Sequence, residues 1–414
     1  MYANLRKVLL AATMMCAAPS AFANVITDWD EKAEVVVTPI LSGTSPHMAW
    51  RMMGMVHAAM FDAVNSIERR YRPYLVQLPA DPATSKEAAA AAAAAAVLAT
   101  VDAKTAGEMK TALAAYIASI PDGTAKSDGV KLGEAVAAKV AAARANDGSD
   151  APDAYRPRTS PGVYVPTAIT VASMLPNSKP FAIATPSQFR PKAPISLEST
   201  EWATDYNELK DYGGETSAKR TAQQTEAARF WLAGSPPTYH DFVRQLVTAK
   251  QMSVIDSARF MALVELGLND AFIAVFDAKY HYNFWRPITA IRNGDIDGNP
   301  ATDREATWQP IAPTPMHPEY PCAHCIASGS VAGVVKAVLG TTDIPEITMT
   351  SPTAPGVSHR WTNLTAFTEE VANARIWAGF HYRFSTRVGT DMGLQIGEYV
   401  VKNVMQPANI ATSR

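Results

Sequence analysis

Three short stretches of this chain combine cations with a histidine or a small-residue turn: Lys279 with Arg286-Pro287, then Pro321-Cys322-Ala323-His324, then Arg375 with His381. Lysine and arginine bring fixed positive charge and N–H donors, and the planar guanidinium fork matches two oxygens of one anion. That is the equipment of a pocket for a tetrahedral oxyanion. With 37 Lys+Arg against 39 Asp+Glu the chain is near neutral, so bulk charge gives no reason for such a concentration. We read the three stretches as one active site. Lys279 and Arg286 stand among Tyr280, Tyr282, Phe284 and Trp285, a setting that favours desolvated charge over two ordinary surface cations. His324 falls where a proline-rich loop gives way to an apolar run, so the free N–H groups of a helix N-terminus would face the anion. Cys322 and Ala323 are small enough to let the backbone approach, and His324 could exchange protons with the ligand. The plainer reading there is a capped helix with a buried histidine. Arg375 and His381 converge if their helix breaks at Gly379. A neutral imidazole at His381 could ligate a metal centre or attack phosphorus, a core histidine beside Tyr382 and Phe384 being the alternative.

The elements that must position these residues read as helices. Met52, Val56, Met60 and Ala63 recur at helical spacing within Met48 to Asn65. Alanine dominates Glu87 to Ile120, which ends at Pro121-Asp122-Gly123, and Val130 to Asn146 begins another helix. From Asp150 to Pro194 nine prolines interrupt any period, which predicts a long connection that wraps the surface or covers a pocket. Helices resume over Ser217 to Leu232 and Asp241 to Tyr282, the second delivering Lys279 at its end. A loop over Asn293 to Pro318 leads into the second stretch, and Cys325 to Leu339 reads as an apolar helix. Asp343 to Ser358 is expected to be irregular, with Phe367 to Phe380 and Gly389 to Val404 as the last helices. Strand-like alternation is scarce, so the expected fold is all-α, a helical bundle with long proline-rich connections. The expected organisation is an N-terminal helical region over 24–195 and a C-terminal region over 196–414 that carries the site.

The first 23 residues read as a secretory signal: Arg6 and Lys7, an apolar run from Val8 to Ala18, and Ser20-Ala21-Phe22-Ala23 before a mature start near Asn24. The run is too short for a membrane anchor, and Thr13-Met14-Met15 is unsuited to lipid attachment at Cys16. A periplasmic or secreted protein is expected. The balanced charge points to neither nucleic acid nor an anionic membrane. After processing only Cys322 and Cys325 remain, three residues apart, and an oxidising compartment would allow them to pair and rigidify or switch the anion-binding turn.

Taken in order, the stretches resemble the motifs of the vanadium-dependent haloperoxidase and type 2 phosphatidic acid phosphatase superfamily: Lys-x6-Arg-Pro, Pro-Ser-Gly-His and Ser-Arg-x5-His. The first is intact from Lys279 to Pro287, and the third keeps Arg375 and His381 with Ala374 in place of serine. The stretch around Trp50, His57 and Ala58-Ala59-Met60-Phe61-Asp62-Ala63 also resembles exported bacterial members. The resemblance implies that Lys279, Arg286 and Arg375 hold the oxygens of vanadate, with the Ala323 N–H adding a donor. It implies His381 as the axial ligand and His324 as the acid–base group. The implied reaction is halide oxidation by hydrogen peroxide, with an organic acceptor as further substrate and vanadate as cofactor. In the phosphatase branch the same pocket would hold phosphate, and His381 would be the nucleophile of an acid phosphatase. Such members often associate through helical faces, which implies a homo-oligomer.

Two departures stand out. Cys322 replaces the motif serine and Ala323 the glycine, and a thiol is a weaker donor to an anion than a hydroxyl. Cys322, His324 and Cys325 are too few for a structural zinc site, and Ile326 after Cys325 excludes a c-type haem motif. Phosphatase members carry an acidic residue four positions after the histidine, where this chain has Ser385, with Asp391 further on; the haloperoxidase reading is therefore preferred.

Overall fold

Side-chain caps and helix-forming runs set most of the elements in the computed structural model, which describes residues 24–41, 45–234 and 236–408. The expected signal segment, 1–23, lies outside them. The N-terminal helices are α1 (Val25–Leu41), α2 (His47–Glu68), α3 (Lys86–Leu98), α4 (Ala103–Ile117) and α5 (Thr124–Ala143). After a long connection come α6 (Thr200–Gly213), α7 (Ala222–Phe230), α8 (Pro236–Ala249), α9 (Val254–Tyr282) and α10 (Pro287–Ile291). The chain closes with α11 (Ala323–Leu339), the strands β1 (Asp343–Ser351) and β2 (Ala354–Asn363), then α12 (Leu364–Trp377) and α13 (Arg383–Asn403). The all-α expectation holds, with one small hairpin added.

Three expectations need correction. The alanine-rich run is two helices, because Asp102 accepts from the Thr105 N–H at 2.7 Å and starts α4 as its N-cap. Asp241 to Tyr282 is likewise two, with Ser253 capping α9. The third is Asp343 to Ser358, expected to be irregular, which belongs to an antiparallel hairpin pairing Ile347 with Trp361 and Met349 with His359. Its β-branched residues suit a half-buried ladder. Pro345 does no harm there, because it falls where the register shifts between Asp343 and Ile347.

The connection from Asp150 to Pro194 does wrap the helices, and buried carboxylates pin it. Asp270, inside α9, accepts from the backbone N–H groups of Phe181 and Ala182 at 2.6 Å and Ile183 at 2.8 Å. Arg190 pairs with Asp277, about two turns further along, at 2.7 Å. Asp62 does the same work on α2, accepting from Tyr74, Leu75 and Val76.

Helix α9 is buried almost throughout its 29 residues and packs against α2, α11 and α13. Apolar residues lie on every side of it, as a central helix requires, with Glu265, Asp270, Asp277 and Lys279 as buried charged exceptions. Against it, α11 and α13 approach at backbone distance: a Cβ at Gly393 would lie 2.2 Å from the Ile326 carbonyl, and one at Gly333 2.6 Å from that of Leu394. This close crossing, with the cap of α9 at Asn283 and the break after α12, gathers the ends of α9, α10, α11, α12 and α13 at one place.

Candidate oxyanion site

Each sequence-predicted residue stands at one of those ends. Lys279 is in the last turn of α9, and Arg286 is the N-cap of α10, whose first position is Pro287. Proline suits that position because the first N–H of a helix has no intrahelical acceptor. Cys322 is the N-cap of α11, which begins at Ala323, so the N–H groups of Ala323 and His324 belong to the unpaired first turn. Arg375 lies in the last turn of α12. The chain then turns at Gly379, with φ of 80°, and presents His381.

The structure brings these groups together in the interior. Lys279, Arg286, Arg375 and His381 are buried, whereas His317 and His324 keep some surface accessible though both rings are deeply surrounded. Lys279 Nζ donates to the carbonyls of Pro318 at 2.9 Å and Glu319 at 2.7 Å. Arg286 donates to the carbonyls of His317 at 2.8 Å and Phe380 at 3.1 Å, and lies 3.3 Å from His381 Nε2. Arg375 donates to the Trp231 carbonyl at 2.5 Å and stands 4.8 Å from the centre of the Phe380 ring. The segment between α7 and α8 thereby closes one side of the site. A Cβ at Gly234 would fall 1.9 Å from His324 Nε2, so only glycine permits that approach.

Two residues that sequence reasoning passed over complete the constellation. The Glu319 carboxylate accepts from His381 Nδ1 at 2.7 Å and from the Tyr382 N–H at 3.2 Å. His381 therefore carries its proton on Nδ1, and its Nε2 lone pair faces the cations. The orienting acid thus comes from the loop before α11 and not from the position four after the histidine. Ser385 is buried beside Glu319 and Asp391 is exposed on α13, so the argument from Ser385 against a phosphatase falls. His317 is the second: its Nδ1 lies 2.9 Å from an Arg286 nitrogen and 3.1 Å from the Pro318 carbonyl. A carboxylate and a histidine crowded just before Pro321 were the available signal.

The site is strongly positive. Burial first, then the neighbouring cations, holds the imidazoles of His381, His324 and His317 well below the usual histidine range. Burial and Arg286 pull Lys279 down in the same way. Arg286 and Arg375 fall to about 10 and about 9, still protonated at neutral pH. Burial pushes Glu319 up to about 7, and Lys279 and Arg286 oppose it. Among the described residues, Arg375 Nε and His324 Nε2 are buried without a side-chain or backbone partner. Three cations, two unused nitrogens and a helix N-terminus fit an oxyanion, which would supply the missing acceptors and relieve the repulsion.

Cys322 and Cys325 are paired as a disulfide, with Cα atoms 5.3 Å apart, and Cys322 Sγ accepts from the Cys325 N–H at 3.1 Å. Cys322 therefore offers the anion no S–H, and the turn leans on its backbone donors. Gly389 lets α13 lie against this turn, since a Cβ there would sit 2.6 Å from the Cys322 carbonyl.

Part of the chain and its fold are similar to known proteins. Residues 259–409 match the VCPO second helical-bundle domain. The vanadium chloroperoxidase of Curvularia inaequalis is 31% identical over 146 residues, which are 29% of this chain and 23% of that protein. The chain thus spans about a quarter of that relative's length. A bacterial vanadium-dependent iodoperoxidase superposes with a TM-score of 0.77 at 20% identity, covering 92% of this chain and 98% of the other. The holo form of a bacterial vanadium-dependent chloroperoxidase gives 0.68 at 19% identity, over 86% and 90%.

Proposed function

We propose that this chain, whose residues 259–409 match a vanadium chloroperoxidase helical-bundle domain and whose fold is that of bacterial vanadium haloperoxidases, binds vanadate and oxidises a halide with hydrogen peroxide. The observation that carries the proposal is the tautomer of His381: Glu319 holds the proton on Nδ1, so Nε2 presents a lone pair into a cage of three buried cations. Lys279, Arg286 and Arg375 would hold the oxygens of vanadate, the N–H groups at Ala323 and His324 would add donors, and Nε2 of His381 would ligate it. Bound there, vanadate would supply a Lewis-acidic centre that activates peroxide without changing oxidation state. The residues do the rest. Burial excludes bulk water and strengthens every charge in the cage. His324, held neutral and partly accessible, takes and returns the proton of the incoming peroxide. His317 and His324 line the accessible side, by which peroxide, halide and the organic acceptor reach the site. A periplasmic or secreted location, after loss of residues 1–23, belongs to the same proposal, as does a homo-oligomeric state.

The same His381 geometry would serve a phosphatase, where Nε2 attacks phosphorus. Protein freed of phosphate, assayed with and without orthovanadate, separates the two. Peroxide-dependent bromination that appears only with vanadate supports the proposal. Aryl phosphate hydrolysis that vanadate inhibits, without bromination, overturns it in favour of the phosphatase.

A further inference from the structure

Away from the oxyanion site, Asp30 on α1, His57 on α2 and His240 on α8 meet in the interior, with Glu265 of α9 beside them. His57 Nε2 lies 2.8 Å and His240 Nδ1 2.5 Å from the same oxygen, Asp30 Oδ1. One donor atom from each residue lies within 4.8 Å of the others. His240 Nε2 lies 2.6 Å from Glu265 Oε2. A carboxylate on the far nitrogen is the contact that fixes a metal-ligating imidazole, because it leaves the other lone pair free. We infer that Asp30, His57 and His240 bind one divalent cation of the zinc class, with Glu265 orienting His240.

Charge gives independent support. Arg244 lies 2.5 Å from Asp30 Oδ2 and 2.9 Å from Glu34. The carboxylates of Asp30, Glu34 and Glu265 thus crowd the two imidazoles, and a divalent cation would offset their charge. Among the described residues, Glu265 Oε1 and His57 Nδ1 are also buried without partners, so the hydrogen bonds of the cluster do not exhaust it. Two imidazoles and one carboxylate, with no thiolate, suit zinc. Zinc bonds of about 2.0–2.1 Å would hold tetrahedral donors about 3.3 Å apart, so the imidazole nitrogens now 2.8 and 2.5 Å from Asp30 Oδ1 would move outward by about 0.5 and 0.8 Å.

An ion here would tie helices of the N-terminal region to the wall of the oxyanion site. Helix α8 follows directly on the segment that faces His324, and Tyr239, beside His240, donates its hydroxyl to the His324 carbonyl at 3.3 Å.

The test uses the full chain, unfolded with a chelator and refolded with or without zinc or cobalt(II). The expected result is one metal per chain by elemental analysis, a Tm higher by several degrees, and the visible absorption of four-coordinate cobalt(II). Binding should vanish in His57→Gln and Asp30→Asn and persist in His381→Ala, which alters only the oxyanion site. Should those variants fail to fold, X-ray absorption on the wild-type zinc form decides: a shell with two imidazoles supports the site. Substoichiometric metal with an unchanged Tm overturns it, as does binding that survives both substitutions or a shell without imidazole.

Discussion

Glu319 is the residue whose loss should be most informative, because it acts on the anion only through His381. Glu319→Gln keeps the volume but can no longer hold a proton on His381 Nδ1 by charge. Orthovanadate affinity, read by calorimetry, is expected to fall about 10- to 100-fold with little change in Tm. An unchanged affinity would show that the imidazole does not depend on this carboxylate. Gly234→Ala addresses His324 from the other side: the added methyl meets its ring, and halide oxidation should drop while vanadate binding, which rests on Lys279, Arg286 and Arg375, is retained. Equal loss of both would mean that the whole cage had been disturbed. Lys279, Arg286, Arg375, His324 and His381 were legible because short spacings within one helix end survive in the sequence. Glu319 was not, since it reaches His381 across 62 positions and only folding sets that distance. His317 escaped for a related reason: its partner Arg286 is 31 positions away.

Helix type was easier to read than helix boundaries. The capping residues Asp102 and Ser253 are ordinary stop-and-start signals, but the alanine run and the long apolar run hid them. The hairpin was missed because its prolines argued for a loop, and their harmless places at the register shift and strand start emerge only in the paired strands. The contact between α11 and α13 was latent in the sequence as glycines four apart, Gly329 with Gly333 and Gly389, Gly393 with Gly397. It follows that Gly393→Ala, an innocuous change in a solvent-facing helix, should destabilise the protein by about 1–3 kcal/mol through forced separation of the two helices. Chemical denaturation measures this; a variant as stable as the wild type would mean that the helices slide apart at no cost. Vanadate affinity should weaken with stability, because the same crossing sets Cys322 against Gly389.

At the scale of the molecule, two connections are held by buried acids that are costly to ionise, the stretch after α2 by Asp62 and the proline-rich connection by Asp270. Burial outweighs the backbone donors and pushes Asp62 and Asp270 up to about 6. Their folded values lie above the usual carboxyl range, so the stability they contribute is present below about pH 4 and is lost as pH rises through about 6. A shift of about two units bounds the effect at roughly 2–3 kcal/mol for each group. Thermal unfolding from pH 4 to pH 7 should show a decline that is shallower in Asp270→Asn than in the wild type, and parallel curves would contradict the assignment. The connection's course over the surface could be expected from composition; which helices hold it could not, because Asp270 and Phe181 are 89 positions apart.

The cystine at the head of α11 has a consequence for an enzyme whose proposed product is a powerful oxidant. Thiolates are the side chains such a product attacks most readily, climbing from sulfenic to sulfonic acid. Here both sulfurs beside the site are already spent in a bond, and the remaining cysteine, Cys16, lies in the expected leader. The mature protein would offer its own product no sacrificial thiol near the point of release. The damage would pass instead to thioethers, and Met316, 43% exposed next to His317, is placed to be the first sulfur scarred by turnover.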